Sequence, residues 1–245
     1  MKTLVIIPSR LSATRLPGKP LLKINGLSII SHVFKKAEET NIGEVIVATE
    51  DQEIIDDVKS NGGQAILTKS HHKTGTDRIY EALQKLKSTE VDLVMNLQGD
   101  EPLIDIEDIK NLNSLMIKNN SGLGTLASKI KDEKLFKNHN VVKVMTEKAL
   151  NDLNFPKALN FKRTFLKEDN NIYHHLGIYC YRFETLKKFI TLEQSSNEIK
   201  NRLEQLRALD NDININVALA KTSSIGVDTF EDFVAIKKIM EYKNQ

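Results

Sequence analysis

From residue 3 to about residue 130, short aliphatic or β-branched runs alternate with longer segments whose apolar residues recur at helical spacing. The short runs are Thr3 to Ile7, Glu44 to Thr49, Gln64 to Thr68, Val91 to Leu97 and Gly124 to Lys129. Bounded by Gly, Asp or Ser, they predict strands. The longer segments, Ile29 to Glu39, Asp51 to Ser60, Thr76 to Leu86 and Ile106 to Lys118, predict helices. Ser28 and Thr74 precede two of them as N-caps whose hydroxyls can accept an orphan N–H. Such alternation belongs to crossover units, so the pattern predicts an α/β fold, doubly wound on a mostly parallel central sheet.

Beyond residue 130 the rhythm changes. Val141 to Thr146 and Ile172 to Tyr181 alternate like strands of a mixed or antiparallel sheet, with a polar Asn- and Lys-rich stretch between them. A helix is expected from about Ser196 to Leu209, then a strand over Ile213 to Ala220 and a last helix over Thr229 to Tyr242. No repeat, low-complexity linker or shift in composition separates independent domains. The expectation is one domain, 1–245, with an α/β half at 1–130, a smaller mixed-sheet subdomain at 131–225 and a closing segment with a helix at 226–245.

Composition narrows the chemistry. A formal net charge of +2 over 245 residues does not point to a nucleic-acid partner. The opening run Leu4 to Ile7 is too brief for a signal segment or a membrane span, and no longer apolar run occurs. The single cysteine, Cys180, rules out an internal disulfide framework, fits a reducing compartment and reads as a small buried hydrophobe in a strand. The histidine doublets His71-His72 and His174-His175 have no partner spacing for zinc, and neighbours on a strand point to opposite faces.

The informative loop follows the first strand: Pro8-Ser9-Arg10-Leu11-Ser12-Ala13-Thr14-Arg15-Leu16-Pro17-Gly18-Lys19-Pro20-Leu21. Loops at the carboxyl ends of strands form the rim of ligand sites in open α/β sheets, so Arg10, Arg15 and Lys19 can converge on one polyanion. Guanidinium forks suit phosphate oxygens and a lysine acts as a movable point charge. The loop lacks both the Gly-x-Gly-x-x-Gly fingerprint and the Walker A spacing, which weakens dehydrogenase and P-loop readings. Gln98-Gly99-Asp100-Glu101-Pro102 leaves another apolar strand, which brings Asp100 to the same rim. Asp228 also follows an apolar run, and the two aspartates are candidates to hold magnesium, which binds through one or two carboxylates plus substrate phosphates. Asp228 can alternatively be read as part of the cap of the last helix.

The loop closely resembles the signature P-[AS]-R-x-x-[AS]-T-R-L-P-G-K-P-L of the 3-deoxy-manno-octulosonate (Kdo) cytidylyltransferases. Further blocks follow in that family's order: Thr74-Gly75-Thr76-Asp77-Arg78, Asn96-Leu97-Gln98-Gly99-Asp100-Glu101-Pro102, His175-Leu176-Gly177-Ile178-Tyr179, Leu203-Glu204-Gln205-Leu206-Arg207 and Gly226-Val227-Asp228-Thr229. The resemblance implies a nucleotide-diphospho-sugar transferase-like fold and the transfer of CMP from CTP to Kdo, forming CMP-Kdo and pyrophosphate for lipopolysaccharide biosynthesis. It implies Mg2+ as cofactor at Asp100 and Asp228, a cytoplasmic homodimer, and neither nucleic acid nor membrane as partner. CTP contacts are implied for Pro8, Ser9, Arg10, Arg15, Lys19, Thr74, Gly75, Arg78 and Asp100, with Lys19, Arg15 and Asp100 catalytic. The acidic eight-carbon sugar is implied at Gln98, Lys157, Arg163, His175, Tyr179, Glu204 and Gln205, and a dimer contact in the 150–165 stretch and near residue 200.

Two departures lie in the sugar half. Where the family commonly reads Y-F-S-R-[AS]-x-I-P, this chain has Asn154-Phe155-Pro156-Lys157-Ala158-Leu159-Asn160-Phe161, so a guanidinium fork has become the point charge of Lys157. The acid common at the position of Asn201 is missing as well. An amino-substituted Kdo or related acidic sugar is therefore the alternative substrate, and an inactive sensor of CTP or CMP-sugar the alternative outside enzymes.

Overall fold

The computed structural model describes residues 1–12, 15–86, 90–166, 169–223 and 226–242. Ala13 and Thr14 of the basic loop lie outside the described residues. β1 (Thr3–Ser9) leads through a 3-10 turn (Lys19–Leu21) and a small antiparallel hairpin, β2 (Lys23–Ile24) and β3 (Leu27–Ser28), into α1 (Ile29–Glu39). Next come β4 (Gly43–Thr49), α2 (Gln52–Ser60), β5 (Ala65–Leu67), α3 (Gly75–Lys85), β6 (Leu93–Asn96) and α4 (Ile106–Lys118). After them lie β7 (Leu123–Ser128), α5 (Glu133–Lys137), β8 (Lys143–Thr146), β9 (Ala158–Lys162) and β10 (Ile172–Arg182). The chain continues through α6 (Phe183–Ile190), α7 (Ser196–Asn201), α8 (Leu206–Asp210), β11 (Asn216–Ala220) and α9 (Phe230–Tyr242).

Two compact units form. The first comprises residues 2–91, 95–106 and 224–245. Its strands run in the order β6-β1-β4-β5, with only Met95 and Asn96 of β6 belonging to it, and the β1–β4 and β4–β5 pairs are parallel. Leu4 to Ile7 are buried on both faces, as a parallel sheet covered on both sides requires. The expected caps form: the Ser28 hydroxyl accepts from the Ser31 N–H at 3.2 Å, and Thr74 makes a reciprocal capping box with Asp77. Val227 and the α9 residues Phe233 and Ile236 pack with Ile24 and Ile29, and Leu16 and Leu22 of the basic segment lie against that cluster.

The second unit comprises Met1 and residues 92–94 and 107–223. β7 pairs parallel with β11 and antiparallel with β10, while β8 pairs antiparallel with β10 and β9. These pairings draw α4 and β7 in with the later chain, so the division expected near residue 130 falls inside this unit. Cys180 is buried on β10, and burial pushes its thiol pKa up against the opposing pull of Arg182.

Four elements here depart from the periodicity, among them α5, which falls where no element was assigned. β9 lies within the stretch read as polar, because only Ala158 and Phe161 of its five residues are buried. α6, which buries Leu186 and Phe189, follows β10 directly in a segment assigned no element. The helix expected over Ser196 to Leu209 is two short helices. Arg202 between them takes a left-handed conformation at φ 53°, and the buried Glu198 and Arg207 form a two-pronged ion pair at 2.6 and 2.8 Å. In one continuous helix those residues would stand about 13 Å apart along the axis, so the pair requires the break.

Candidate active site

The carboxyl end of β1 delivers Ser9 and Arg10, and the loop beyond it is tied down locally. The Asp51 carboxylate, placed just before α2, accepts from the Leu11 N–H at 2.7 Å, and the Gly18 N–H donates to the Leu11 carbonyl at 3.0 Å. Gly18 turns the chain at φ 71°, a conformation open to glycine without strain. Lys19 therefore starts the 3-10 turn with its backbone fixed, and its ammonium reaches Asp100 Oδ2 at 2.6 Å and Asp228 Oδ1 at 3.6 Å. Arg15 bonds Asp228 Oδ2 at 3.0 Å and stays half exposed.

The two aspartates meet through backbone. The Val227 N–H donates to the Asp100 carbonyl at 2.9 Å, and burial of Val227 in the α9 cluster holds that strand-like contact in place. Gly99 permits the turn before Asp100, since a Cβ there would stand 3.0 Å from Ile30 and 3.1 Å from the Pro8 carbonyl. The capping alternative for Asp228 is resolved by its neighbours. The Thr229 hydroxyl accepts from the Asp232 N–H, and the Asp232 carboxylate accepts from the N–H groups of Asp228 and Thr229. Thr229 and Asp232 thus cap α9, which leaves the Asp228 carboxylate to Arg15 and Lys19.

A third wall comes from the N-terminus of α3. Arg78 is buried instead of being an exposed helix cation: its guanidinium pairs with Glu50 and donates to Thr68 Oγ1 at 2.6 Å and the Lys69 carbonyl at 3.3 Å. Pro8, Ser9, Arg10, Arg15, Lys19, Thr74, Gly75, Arg78, Gln98, Asp100 and Asp228 together line one cavity of about 380 Å³. Leu16, Pro20, His72, Lys73 and Gly99 line it too, and of these His72 and Lys73 were not singled out from sequence for this site. The available signal was their position directly ahead of the Thr74 cap.

Of the residues expected to read the sugar, Gln98 lies on that cavity, where its amide donates to Asn96 Oδ1 at 3.2 Å. The others belong to the second unit. His175 and Tyr179 flank an irregularity in β10 between Leu176 and Tyr179, and their ring centroids stand 5.5 Å apart. His175 is buried and its Nε2 meets Thr125 Oγ1 at 3.0 Å; burial, then His174, lowers its pKa to about 3. Burial foremost, then Tyr181 and Glu204, raises the Tyr179 phenol well above its usual range. Both rings are therefore neutral near pH 7. Glu204 and buried Gln205 occupy the turn between α7 and α8. In the same unit the Lys157 N–H donates to Glu147 Oε1 at 3.2 Å, and the Arg163 guanidinium donates to the His139 carbonyl at 3.2 Å.

Among the described residues no group of three or more His, Cys, Asp or Glu could hold a metal alone. His71 and His72 stack on each other at 5.9 Å, while His174 and His175 bond Ser223 and Thr125 respectively. Asp100 and Asp228 remain as a pair of hard oxygen donors beside three cations. That set suits a magnesium ion completed by phosphate oxygens and water, and is poor for a softer metal.

Comparison with known proteins shows the family. A family model described as cytidylyltransferase matches residues 4–215. The chain is 44% identical to the 3-deoxy-manno-octulosonate cytidylyltransferase of Thermodesulfovibrio yellowstonii, covering 98% of each. It is 42% identical to the protein of that name from Rhodopseudomonas palustris (strain BisB18), again covering 98% of each. Among solved structures it resembles CMP:2-keto-3-deoxy-manno-octonic acid synthetase complexed with CTP, with a TM-score of 0.89 and 33% identity over 99% of this chain and 100% of that one.

Proposed function

Because this chain belongs to the cytidylyltransferase family and matches its 3-deoxy-manno-octulosonate members over nearly their full length, we propose that it transfers CMP from CTP to 3-deoxy-D-manno-octulosonate, releasing pyrophosphate. One observation of the molecule itself carries the reading: a loop with three cations and two distant aspartates line the same cavity as a helix N-terminus.

In the reaction the anomeric hydroxyl of the sugar acid attacks the α-phosphorus in line, the bond to the bridging oxygen breaks, and pyrophosphate takes the electron pair. The protein contributes position and charge. Arg10, Arg15 and Lys19 meet the triphosphate, and Lys19 and Arg15 exchange their carboxylate partners for phosphate oxygens as it enters. Thr74, Gly75 and Arg78 form the wall facing the nucleoside, while Gln98, His175, Tyr179, Glu204 and Gln205 supply donors and acceptors for a polyhydroxylated acid. Asp100 and Asp228 would hold a magnesium ion, which would supply Lewis-acid stabilisation of charge at the α-phosphate. His175, neutral down to about pH 3, acts as a hydrogen-bonding group and not as a general acid.

The active form in this reading is a cytoplasmic homodimer. Leu153, Leu159 and Ile199 support an interface in the regions anticipated, being 85%, 54% and 62% exposed. Among the described residues no helix is long and apolar enough to cross a membrane. Pyrophosphate release, measured with each nucleoside triphosphate against a panel of sugar acids with and without magnesium, tests the activity. CTP with Kdo and magnesium should give the fastest release. A faster rate with an amino-substituted sugar would move the assignment to that substrate, and no release with any pair would make the chain a binding protein.

A further inference from the structure

The two ends of the cavity differ in charge. At the basic loop, Arg10 is exposed and bears no carboxylate partner among the described residues, while Lys19 and Arg15 rest on acids that a metal can claim. At the α3 end two cavity-lining side chains already meet carboxylates outside the proposed metal pair. Arg78 pairs with Glu50, and His72 Nε2 pairs with Glu81. Lys73 aside, that end is electrically compensated, so it suits an uncharged nucleoside, whereas the loop end suits phosphates.

The compensated wall is rigidly built. α3 grips the preceding loop at both backbone groups of Lys69: Arg78 donates to its carbonyl at 3.3 Å, and Glu81 accepts from its N–H at 2.9 Å. Glu81 also takes Lys85 at 2.8 Å, and the ring of His71 stacks on that of His72. Burial opposes ionisation of Glu81, but the bonds from Lys85, the Lys69 N–H and His72 outweigh it and lower its pKa to about 2. An ionised carboxylate only accepts, so Nε2 of His72 carries the hydrogen, and Nδ1 is the ring's other bonding atom. No described residue bonds Nδ1, and His72 lines the cavity.

We propose that His72 is a nucleoside-binding residue whose Nδ1 accepts a hydrogen bond from the nucleotide, with Glu81 as the positioning residue that fixes its tautomer and orientation. The inference rests on the CTP reading above. The donor is either the exocyclic amine of the base or a ribose hydroxyl. An amine contact would make His72 a determinant of cytosine over uracil, which presents an acceptor at the same place.

Equilibrium binding of CTP, UTP, 2′-deoxy-CTP and inorganic tripolyphosphate to the wild-type protein, His72→Phe, His72→Gln and Glu81→Gln tests this, with melting temperatures recorded for each. For His72→Phe, CTP affinity should fall about tenfold, a loss typical of one hydrogen bond to a ligand, while tripolyphosphate affinity stays within twofold. Glu81→Gln should give a smaller loss of the same selectivity. If the amine is the donor, the CTP/UTP ratio collapses toward one; if the 2′-hydroxyl is, 2′-deoxy-CTP binds wild type and variant alike, and a 3′-hydroxyl donor leaves both the CTP/UTP ratio and the CTP/2′-deoxy-CTP ratio unchanged. Equal losses for CTP and tripolyphosphate, or unchanged CTP affinity in both His72 variants, overturn the proposal. Failure of the wild-type protein to bind CTP would instead overturn the reading beneath it.

Discussion

Lys19 holds two carboxylates at once, and this contact sets what the substitution of either acid should do. Triphosphate entering without a metal must draw Lys19 and Arg15 away from Asp100 and Asp228, leaving both carboxylates facing a polyanion. Asp228→Asn removes one of these charges and frees Arg15. Metal-free CTP should therefore bind this variant more tightly than wild type, on the order of threefold, while turnover with magnesium falls by about a hundredfold. Dialysis with a chelator and a turnover assay on the same preparations decide it; weaker metal-free binding would remove the two aspartates from the triphosphate end. The residue types of this constellation were legible in the sequence, since basic and acidic positions both follow apolar strands. The two aspartates were also expected together, but their ion pairs with Lys19 and Arg15 were not legible, because these join positions far apart in sequence that tertiary contacts such as the Val227–Asp100 backbone bond bring together.

At the scale of elements, β10 carries two histidines whose pKa values burial lowers. Burial, then Lys143, lowers the pKa of His174 to about 4, and burial, then His174, lowers that of His175 to about 3. The unfolded chain protonates both near pH 6.5, so between that pH and the folded values it binds protons that the native state does not. Stability is therefore fully present above about pH 6.5 and declines as the pH falls. At pH 5 the loss should be about 2 kcal/mol for each histidine, read by urea unfolding at pH 7.5 and 5.0, and His174→Gln should recover about half of it. A profile flat over that range would show that the rings titrate normally. The doublet itself was visible in the sequence, and opposite facing followed from strand geometry. The break in the 196–209 helix was not visible, because the Glu198–Arg207 pair outweighs local periodicity that runs unbroken through Arg202.

Across the whole chain, the last segment returns to the first. Val227, Phe233 and Ile236 pack against Ile24 and Ile29, and this cluster anchors the stretch that carries Asp228. Phe233→Ala should cost about 3 kcal/mol and loosen Asp228 while leaving Arg10, Ser9 and α3 in place. Calorimetry should show magnesium-dependent strengthening of CTP binding reduced at least severalfold and metal-free binding retained; equal loss of both would indicate general disruption instead. Alternation of apolar runs determined the α/β class, the caps at Ser28 and Thr74 and the first four helices, because local period and capping chemistry depend on near neighbours. Motif order likewise determined the family. Tertiary structure decided the rest: the assignment of β7 to the later chain, the split near Arg202, the capping of α9 by Thr229 and not Asp228, the burial of Arg78 and the presence of His72 in the cavity. Each of these depends on partners far away in sequence, whose proximity is set by packing and backbone pairing and leaves no periodic mark on the residues themselves.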